Sequence, residues 1–498
     1  MRPGIYRDLI LLLATLFVVL PVPTASALEN PVMLHLDSSP RQHLLSVNDS
    51  VFGATGLSLM HEFNLQLGMS WRRKDFTWQD IEPSNGTFDW SSYGVDGVET
   101  AGIYHIILLV YGNENIEGGE SNFVPRSQLD EWAGFVEEVV SRFKGNKSTI
   151  AYEVWNEPNL EGFWTGTTED YARLLATSAE VIRRVDPDAL VLAGGTASSP
   201  ESERGPTEVF YEQLFQMNES HPELRGKIVF DIYNMHAYFN TASEYREAIR
   251  TQKQVCERHG FEWEPHPDSA RFQDQFSRIW CTEAGWNNIQ HGIKSSTIAC
   301  FEGIGRHLIF GGGEFKLPPE CDALRAVIPL WRNCTPFQHC NPSDNCPLSS
   351  GTFTLYAART EDGRVAIAYW NEQRPGATFS IEMGCSVLGA SRLSLPNFSW
   401  SYTDLDSIGG LMGTTTRIRD IVVEEDFHML VIDPVTDVDA ITIIVNETID
   451  SVIIIYIIPC VAFAATLIVG YNFSRSIRSR SKDGKPNGEG SGLANTHR

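Results

Sequence analysis

Short apolar runs alternate with longer amphipathic segments between about residue 50 and residue 335. Eight of the runs have the length and composition of strands: SVFGATG, GMSWRRKDF, IYHIILLVY, IAYEVWNE, ALVLAGG, IVFDIYNMHAY, SRIWCTEAG and ALRAVIPLW. Residues 128–144 and 168–185 lie between such runs and carry apolar side chains at helical spacing. Eight strand–helix pairs predict an α/β fold, a (β/α)8 TIM barrel. A doubly wound open sheet is the alternative, but it rarely needs eight strands.

The pattern changes after residue 350. The run GTFTLYAARTEDGRVAIAYWNE predicts a hairpin with Glu361, Asp362 and Gly363 at its turn, and further strand-like runs continue to about residue 434. The sequence therefore predicts a (β/α)8 barrel over residues 28–350 and a small all-β accessory domain over residues 351–436. Residues 437–451 are then a short stalk.

Residues 1–27 have the pattern of a signal peptide. Arg2 and Arg7 precede an apolar stretch over residues 9–20, and the small-residue cleavage pattern Ala-Ser-Ala ends at Ala27. The apolar stretch is short for a membrane span. An uncleaved signal anchor is the alternative.

Residues 452–471 form an uncharged apolar segment of twenty residues, VIIIYIIPCVAFAATLIVGY. At about 1.5 Å per residue, a helix of this length crosses a hydrocarbon core of roughly 30 Å. Pro459 would kink such a helix without excluding it. Basic residues follow directly and predict a cytoplasmic tail over residues 472–498. The expected localisation is a single-pass type I membrane protein; a lipid anchor is the alternative.

Composition and sequons agree with a barrel domain that is extracellular or in the secretory or lysosomal lumen. The net charge of -24 argues against a nucleic-acid partner, because phosphate binding needs clustered Lys and Arg. N-glycans are expected, because seven Asn-x-Ser/Thr sequons precede the apolar segment, at Asn48, Asn85, Asn146, Asn218, Asn333, Asn397 and Asn446.

Four cysteines, Cys321, Cys334, Cys340 and Cys346, cluster in a loop-like stretch. In an oxidising compartment this cluster predicts disulfide bonds, whose pairing the sequence leaves open. A metal site with His339 is the alternative, but no compact pair of ligands is present. We therefore expect no metal and no cofactor.

Two carboxylates stand where a barrel enzyme would need them. Cleaving a glycosidic bond with retention requires two carboxyl groups roughly 5 Å apart, and a barrel supplies them from the C-terminal ends of different strands. Glu157 ends IAYEVWNE and is followed by Pro158, whereas Glu283 ends SRIWCTE and is followed within two residues by Gly285. Neither proline nor glycine favours continuing a strand. Glu153 is expected to be a buried structural carboxylate deeper in the barrel.

The motifs WNEPN and TEAGW, together with the stretches LGMSWRRKDFTWQDIEPSNGTFDW and EGFWTGTTEDYARLLATSAEVIRRVDPDALVLAGG, resemble clan A of the glycoside hydrolases. The similarity covers most of residues 50–335 and is strongest to family 39-type or family 5-type enzymes. The resemblance implies that Glu157 is the general acid/base and Glu283 the nucleophile of a retaining TIM-barrel enzyme.

The same resemblance gives Asn156 and Arg73 supporting roles. Asn156 would bind the sugar 2-hydroxyl, and Arg73 would keep the nucleophile ionised. A regular strand points Asn156 and Glu157 to opposite sides, so we expect the backbone to depart from extended geometry there. Arg72 is the alternative to Arg73, which shares strand parity with Trp71 and Asp75.

Further residues are expected to line the site. His236 and Tyr238 share one face of a strand, and the resemblance implies that Tyr238 donates a hydrogen bond to Glu283; a core pair is the alternative. Trp331, at the end of the predicted eighth strand, or Trp286 would stack on the sugar, although either is equally expected in the core. By parity with Glu283, Cys281 is expected in the barrel interior.

These expectations combine into one functional hypothesis: a retaining glycoside hydrolase that cleaves β-linked O-glycosidic bonds in an oligosaccharide, polysaccharide or glycoconjugate. The alternatives are a membrane-tethered transglycosylase that remodels cell-wall polysaccharide and a non-catalytic carbohydrate-binding receptor on the same barrel. The receptor is less favoured, because Arg73, Asn156 and both glutamates are all present. The sugar, its linkage and exo or endo action are left open.

Overall fold

The computed structural model describes residues 28–36, 51–55, 68–93, 103–146, 149–198, 202–239, 241–263, 277–285, 289–310, 320–332, 334–339, 354–371, 378–385, 387–394, 399–402, 416–422, 426–436 and 438–447. Contacts divide the chain into two compact units, Pro31–Ile444 and a smaller unit of the two end segments. In the described ranges, no helix has the length and hydropathy of a membrane span. Residues 452–471 lie outside these ranges, so the predicted anchor stays a prediction.

Strand β1 (Leu28–Leu36) belongs to an antiparallel sheet, and the next eight strands close a parallel barrel. The barrel strands are β2 (Phe52–Thr55), β3 (Trp71–Thr77), β4 (Tyr104–Val110), β5 (Thr149–Asn156), β6 (Leu190–Ala197), β7 (Tyr233–Ala237), β8 (Ile279–Ala284) and β9 (His307–Phe310). Closure is direct, because β2 pairs in parallel with both β3 and β9. The predicted TIM-type barrel is confirmed.

Helices cover the barrel: α1 (Trp78–Ile81), α2 (Leu129–Phe143), α3 (Thr168–Val185), α4 (Thr207–Ser220), α5 (Ala242–Arg258), α6 (Ile289–Phe301) and α7 (Glu320–Trp331). The helices predicted over residues 128–144 and 168–185 are α2 and α3. Helix α3 begins with a capping box in which Thr167 and Asp170 satisfy each other's backbone N–H groups.

The prediction that ALRAVIPLW is the eighth strand was wrong. This run belongs to α7, and the eighth barrel strand is β9, only four residues long. The apolar positions Leu324, Val327 and Ile328 are buried at helical spacing. Pro329 lies in the last turn of this helix, where it removes one hydrogen bond, to the carbonyl of Arg325 four residues earlier.

The second sheet has ten strands in the described ranges, among which neighbours such as β1 and β10 (Thr335–His339) pair antiparallel. Besides these two strands it contains β11 (Thr354–Arg359), β12 (Val365–Trp370), β13 (Thr378–Met383), β14 (Val387–Ser394), β15 (Ser399–Tyr402), β16 (Thr416–Val422), β17 (His428–Pro434) and β18 (Ala440–Glu447). The predicted hairpin is β11–β12, with Arg359 paired to Val365. Strands β1 and β10 pair with each other although both lie in the range predicted as barrel, so the sheet draws on more of the chain than residues 351–436.

A buried polar cluster joins the barrel helices to this sheet. Arg246 of α5 donates hydrogen bonds to the Tyr356 hydroxyl at 3.1 Å and the Thr354 hydroxyl at 3.3 Å, both on β11. Glu302, just after α6, lies 3.6 Å from the same guanidinium. All four residues are buried, and the hydrogen bonds from Arg246 to β11 fix the sheet against the barrel, while Glu302 balances the charge of the guanidinium.

Apolar side chains fill the lower barrel interior. They include Trp71 and Trp280, whose rings are 5.4 Å apart, and the Arg306 guanidinium lies 4.2 Å from the Trp71 ring. Above this layer, towards the C-terminal ends of the strands, the inward side chains become polar, beginning with Arg73 and Glu153. The lower part of the barrel interior is therefore apolar, and the upper part, at the C-terminal ends of the strands, is polar.

Candidate active site

The end of β5 departs from a regular strand, as the sequence predicted. Trp155 and Glu157 have φ values of 72° and 45°, in the left-handed region that such residues rarely adopt. Val154 and Trp155 consequently both lie in the core between barrel and helices, and the strand no longer alternates. Asn156 and Glu157 then both reach the inside of the barrel mouth, where they line the same cleft.

The end of β8 carries a second irregularity, a register shift between Cys281 and Ala284 in its pairing with β9. Cys281 and Ala284 lie in the core between barrel and helices, whereas Glu283 contacts Arg73 inside. The prediction that Cys281 faces the barrel interior was therefore wrong. Its thiol is free, and burial raises its pKa to about 12.

The two irregular strand ends bring Glu157 and Glu283 together. A carboxylate oxygen of each residue and the Nδ1 atom of His236 all lie within 4.8 Å of one another. His236 Nδ1 is 2.8 Å from Glu157 Oε1 and 3.5 Å from Glu283 Oε2. Both glutamates line the cleft, while the imidazole is fully buried behind them.

Arg73 joins three acceptors at the base of the site. Its guanidinium binds Glu153 through two hydrogen bonds, of 2.7 and 2.9 Å, and donates a third to Glu283. A fourth, of 2.7 Å, goes to the carboxamide oxygen of Asn156, which leaves the amide NH2 group of Asn156 to donate into the cleft. Glu153 also accepts the backbone N–H of Gly195, so this carboxylate is buried and structural as predicted.

Opposing effects act on the pKa of Glu283. Burial by itself raises this pKa, but the charges of His236 and Arg73 and the hydrogen bonds from Tyr238 and Arg73 outweigh burial and lower it. For Arg73, burial alone would lower the pKa, but the charges of Glu153 and Glu283 raise it above its ordinary value. The site therefore contains an ionised Glu283 beside a permanently charged guanidinium.

The imidazole of His236 is also biased towards its charged form. Burial lowers its pKa, yet the charge of Glu283 and the hydrogen bond with Glu157 raise it further than burial lowers it. Nε2 of His236 has no hydrogen-bond partner among the described residues and lies against Gly195. A Cβ atom on residue 195 would be 2.1 Å from Nε2, so only glycine leaves room for this ring.

Tyr238 donates its hydroxyl to Glu283 Oε2 at 2.8 Å, the contact that the sequence resemblance implied. Burial, followed by the charge of Glu283, raises the pKa of Tyr238, so the phenol stays protonated. Its ring lies against Gly285, where a Cβ atom would be 2.2 Å from a ring carbon. Gly195 and Gly285 were missed as site residues, and the only signal was their position at two strand ends.

A cleft of about 1100 Å³ at the C-terminal ends of the barrel strands is lined by Arg73, Asn156, Glu157, Tyr238 and Glu283. One side of the cleft is formed by Asp75, Leu108 and Tyr111. The opposite side runs along α4 and α5 and includes Thr207, Glu208, Glu244, Glu247 and Thr251. The cleft has room for more than one sugar unit and is lined with side chains that can bind hydroxyl groups.

The predictions for Trp331 and Trp286 have different outcomes. Trp331 is 2% exposed, and its indole N–H donates to the Thr297 hydroxyl at 3.1 Å while its ring packs edge-on against Phe301. It therefore lies between α6 and α7, away from the cleft, because the segment that contains it is a helix. Trp286 lies outside the described residues, as do Cys340 and Cys346, so these predictions stay open.

Glu157, His236 and Glu283 are also ligand types that could hold a metal ion. Their contacts favour a different use of the cluster. His236 Nδ1 is hydrogen-bonded to Glu157, and both oxygens of Glu283 accept hydrogen bonds, from Arg73 and from Tyr238. A cation here would have to displace these bonds and would be repelled by Arg73.

Comparison with known proteins agrees with the geometry. Residues 107–262 match the family model described as Glycosyl hydrolases family 39, a range that contains Glu157, His236 and Tyr238 and ends before Glu283. A beta-xylosidase of Caldicellulosiruptor saccharolyticus is 35% identical over 97 residues, 18% of this chain and 20% of that protein. A beta-xylosidase of Geobacillus stearothermophilus is 32% identical over 95 residues, 18% of each chain. The chain thus matches about a fifth of the length of these relatives.

Solved structures resemble the whole barrel. A family 39 glycoside hydrolase from the gut symbiont Bacteroides cellulosilyticus superposes with a TM-score of 0.55 at 16% identity, over 78% of this chain and 81% of that one. A glucosidase from Croceicoccus marinus gives 0.52 at 11% identity, over 77% and 96%. These likenesses show the fold alone, which places the chain in the TIM-barrel class. Within that class, the resemblance predicted from the sequence is confirmed for family 39.

Proposed function

We propose that the protein is a retaining glycoside hydrolase that acts on β-linked glycosides, with Glu283 as nucleophile and Glu157 as general acid/base. The observation that carries this proposal is the approach of the two carboxylates to within 4.8 Å at the ends of two different strands. Retaining enzymes hold their carboxyl groups about 5 to 5.5 Å apart, whereas inverting enzymes leave about 6.5 to 9.5 Å for a water molecule.

The surroundings of the two glutamates support unequal tasks. Glu283 has a lowered pKa and accepts hydrogen bonds from Arg73 and Tyr238, which suits an ionised nucleophile. Glu157 instead shares a hydrogen bond with His236. Because His236 is fully buried and Glu157 lines the cleft, Glu157 is the member of this pair that can deliver a proton to a bound substrate.

In the first step, a Glu283 oxygen attacks the anomeric carbon while the bond to the leaving oxygen breaks. The leaving oxygen takes the proton from Glu157, and an ester joins the sugar to Glu283. In the second step, Glu157 takes a proton from water, the water oxygen bonds to the anomeric carbon and the ester breaks. Both glutamates return to their starting forms.

Formation of the ester also changes the charge beside His236 and Glu157. While Glu283 is ionised, its negative charge helps to raise the pKa of His236, which is hydrogen-bonded to Glu157. Once Glu283 is esterified, that charge is absent and the charged form of His236 is favoured less. The NH2 group of Asn156 would bind a hydroxyl of the attacked sugar throughout.

Two relatives that match part of this chain are named beta-xylosidases, and they support a β-linked substrate. An aryl β-xyloside is therefore the first substrate to test. Glu283→Gln should abolish turnover by the full-length protein, and a fluorosugar inactivator should label Glu283 in the wild type. Labelling of a different carboxylate would overturn the assignment of the nucleophile.

The acid/base assignment has its own test. Glu157→Ala should still form the ester from substrates with good leaving groups, and added azide should restore turnover by giving a glycosyl azide of retained configuration. Glu180→Gln is a matched control, since Glu180 is exposed on α3. If azide restores nothing while the ester still forms, Glu157 is not the base.

We also propose that residues 452–471 anchor the protein with its barrel on the outer or lumenal side. The support is the uncharged apolar run followed by basic residues, together with the sequons before it. In vesicles opened with detergent, removal of N-glycans should shift the mobility of the protein, whereas in intact vesicles an epitope on residues 472–498 should be reachable only from the cytoplasmic side. Release of the protein by carbonate would contradict the anchor.

A further inference from the structure

A third carboxylate, Asp75, borders the catalytic pair. It lies on β3 two residues beyond Arg73, so both side chains point to the same inner face of the barrel, and Asp75 is nearer the mouth. It lines the cleft together with Glu157 and Glu283 and is accessible from it. No described residue forms a hydrogen bond or an ion pair with this carboxylate.

The electrostatic surroundings of Asp75 differ from those of its neighbours. Asp75 is accessible to solvent from the cleft, but its partial burial there raises its pKa. The charge of Arg73 lowers this pKa, and the charge of Glu283 raises it. The Arg73 guanidinium donates its hydrogen bonds to Glu153, Glu283 and Asn156. A substrate that displaces water from Asp75 must therefore supply the hydrogen-bond donors itself.

Tyr111 provides a second polar group on the same side of the cleft. It follows β4 with a φ of 64°, and its ring packs edge-on against Trp155 at 6.3 Å. Two adjacent strand ends thus contain neighbouring residues in the left-handed region, a form of strain that collects at functional sites. Burial, followed by the charge of Asp75, raises the pKa of Tyr111, so its hydroxyl remains protonated.

We propose that Asp75, with Tyr111 beside it, binds ring hydroxyl groups of the sugar that Glu283 attacks, and that Asp75 thereby selects neutral glycosides over uronides. The proposal rests on the proposed function, because it assigns the sugar that occupies the same cleft. A sugar hydroxyl donates to a carboxylate in a charge-assisted hydrogen bond. A uronate in that position would instead be repelled.

The distant part of the cleft has the same sign of charge. Glu208 at the start of α4 and Glu244 and Glu247 on α5 line the side opposite Asp75. A polyuronide that extended along the cleft would approach these carboxylates as well as Asp75. These carboxylates therefore add to the repulsion of uronates by Asp75.

The first test compares aryl β-xyloside, β-glucoside and β-glucuronide with one common leaving group, using the full-length protein. Asp75→Asn should lower kcat/KM for the preferred neutral glycoside by roughly 10- to 100-fold, the factor expected from one hydrogen bond to a charged group. The ratio of kcat/KM for the glucuronide to that for the neutral glycoside should rise. Asp188→Asn, on an exposed loop at the opposite end of the barrel, should change neither value.

The second test distinguishes contact with the substrate from an indirect effect through Arg73. Aryl glycosides that each lack one ring hydroxyl are compared on wild type and Asp75→Asn. For the hydroxyl that Asp75 binds, the loss of kcat/KM on removing that hydroxyl and the loss on mutating Asp75 should not be additive. The mutation should therefore have little effect on kcat/KM for that deoxy glycoside. Equal fractional losses on every deoxy glycoside, or an unchanged uronide ratio, would overturn the proposal.

Binding measurements separate this proposal from the proposed function. If the wild type hydrolyses no glycoside, the enzyme assignment fails, but titration of xylose, glucose and glucuronate still reports on Asp75. The neutral sugar that binds should bind roughly 10-fold more weakly to Asp75→Asn, whereas its deoxy form should bind both proteins alike. Equal affinity of wild type and Asp75→Asn for every neutral sugar would refute the contact.

Discussion

Gly195 lies directly against the imidazole of His236, and this contact places the ring beside Glu157. A Cβ atom on residue 195 would be 2.1 Å from Nε2, while Nδ1 on the other side of the ring is 2.8 Å from Glu157 Oε1. The ring is thus held between a backbone that offers no side chain and a carboxylate. A single methyl group on residue 195 must move it.

Gly195→Ala should therefore impair catalysis by shifting His236 away from Glu157. We expect kcat/KM for a glycoside with a poor leaving group to fall by about 100-fold or more, within the range of general acid catalysis. The loss should be smaller with a leaving group that needs no proton. Gly162→Ala is the control, because a Cβ there would meet nothing within 4 Å. Unchanged kinetics of Gly195→Ala would show that His236 does not position the acid.

Tyr238→Phe should change the pH dependence. A hydrogen-bond donor favours the ionised carboxylate, so its removal raises the lowered pKa of Glu283. Because attack requires ionised Glu283, the acid limb of the kcat/KM profile should move to higher pH, with activity lost first on the acid side. The control is Tyr152→Phe, whose hydroxyl has no hydrogen-bond partner among the described residues. An acid limb that stays in place would contradict the role of Tyr238.

Gly285→Ala should reproduce much of the Tyr238→Phe phenotype. A Cβ atom on residue 285 would be 2.2 Å from the Tyr238 ring and should push the phenol away from Glu283. The two changes should not be additive in kcat/KM, because both remove the same hydrogen bond. Gly384→Ala introduces a methyl group into open space and should behave as wild type. Full additivity in the double variant would mean that the two residues act separately.

Glu153→Gln tests the buried ion pair below the site. The change leaves Arg73 with one fewer compensating charge in a site with almost no exposure, so the free energy of unfolding should fall by about 3 to 5 kcal/mol. Denaturant unfolding followed by tryptophan fluorescence measures this change. Glu180→Gln, on the exposed face of α3, should stay within about 0.5 kcal/mol of wild type. A similarly small change for Glu153→Gln would argue against the ion pair.

Trp331→Phe tests the corrected position of Trp331. Loss of the indole hydrogen bond to Thr297 and of part of the packing against Phe301 should destabilise the fold by about 1 to 3 kcal/mol. At a temperature where the variant remains folded, KM should match that of the wild type. A selective rise in KM without loss of stability would return Trp331 to the substrate site.

Much of the barrel could be predicted because its information is local. Seven of the eight strands and the helices α2 and α3 follow from hydrophobic periodicity, and Pro158 and Gly285 mark where two strands end. The eighth strand could not be predicted in the same way. Strand β9 has only four residues, and the more apolar run after it has helical as well as strand character.

The orientation of side chains at the strand ends could not be predicted from the alternation of residues between the two faces of a strand. Parity places Cys281 on the same side as Glu283, yet the register shift at the end of β8 separates them. The departure expected at Asn156 and Glu157 is present, but it begins at Trp155, whose ring is held by packing between barrel and helices. Such shifts depend on pairing with neighbouring strands, which lie far away in the sequence.

The sequence by itself determined the kind of barrel and the two glutamates, because hydrophobic periodicity and the residues that end strands can be recognised within short segments of the chain. Only the tertiary structure decided which side chains surround those glutamates. Gly195 contacts His236 and Arg73 binds Glu153, Asn156 and Glu283 across separations of 41 to 210 residues in the chain. These contacts exist because closure of the barrel brings all eight strand ends to one rim. Side chains that are far apart in the sequence are close enough there to form ion pairs and to restrict one another's positions.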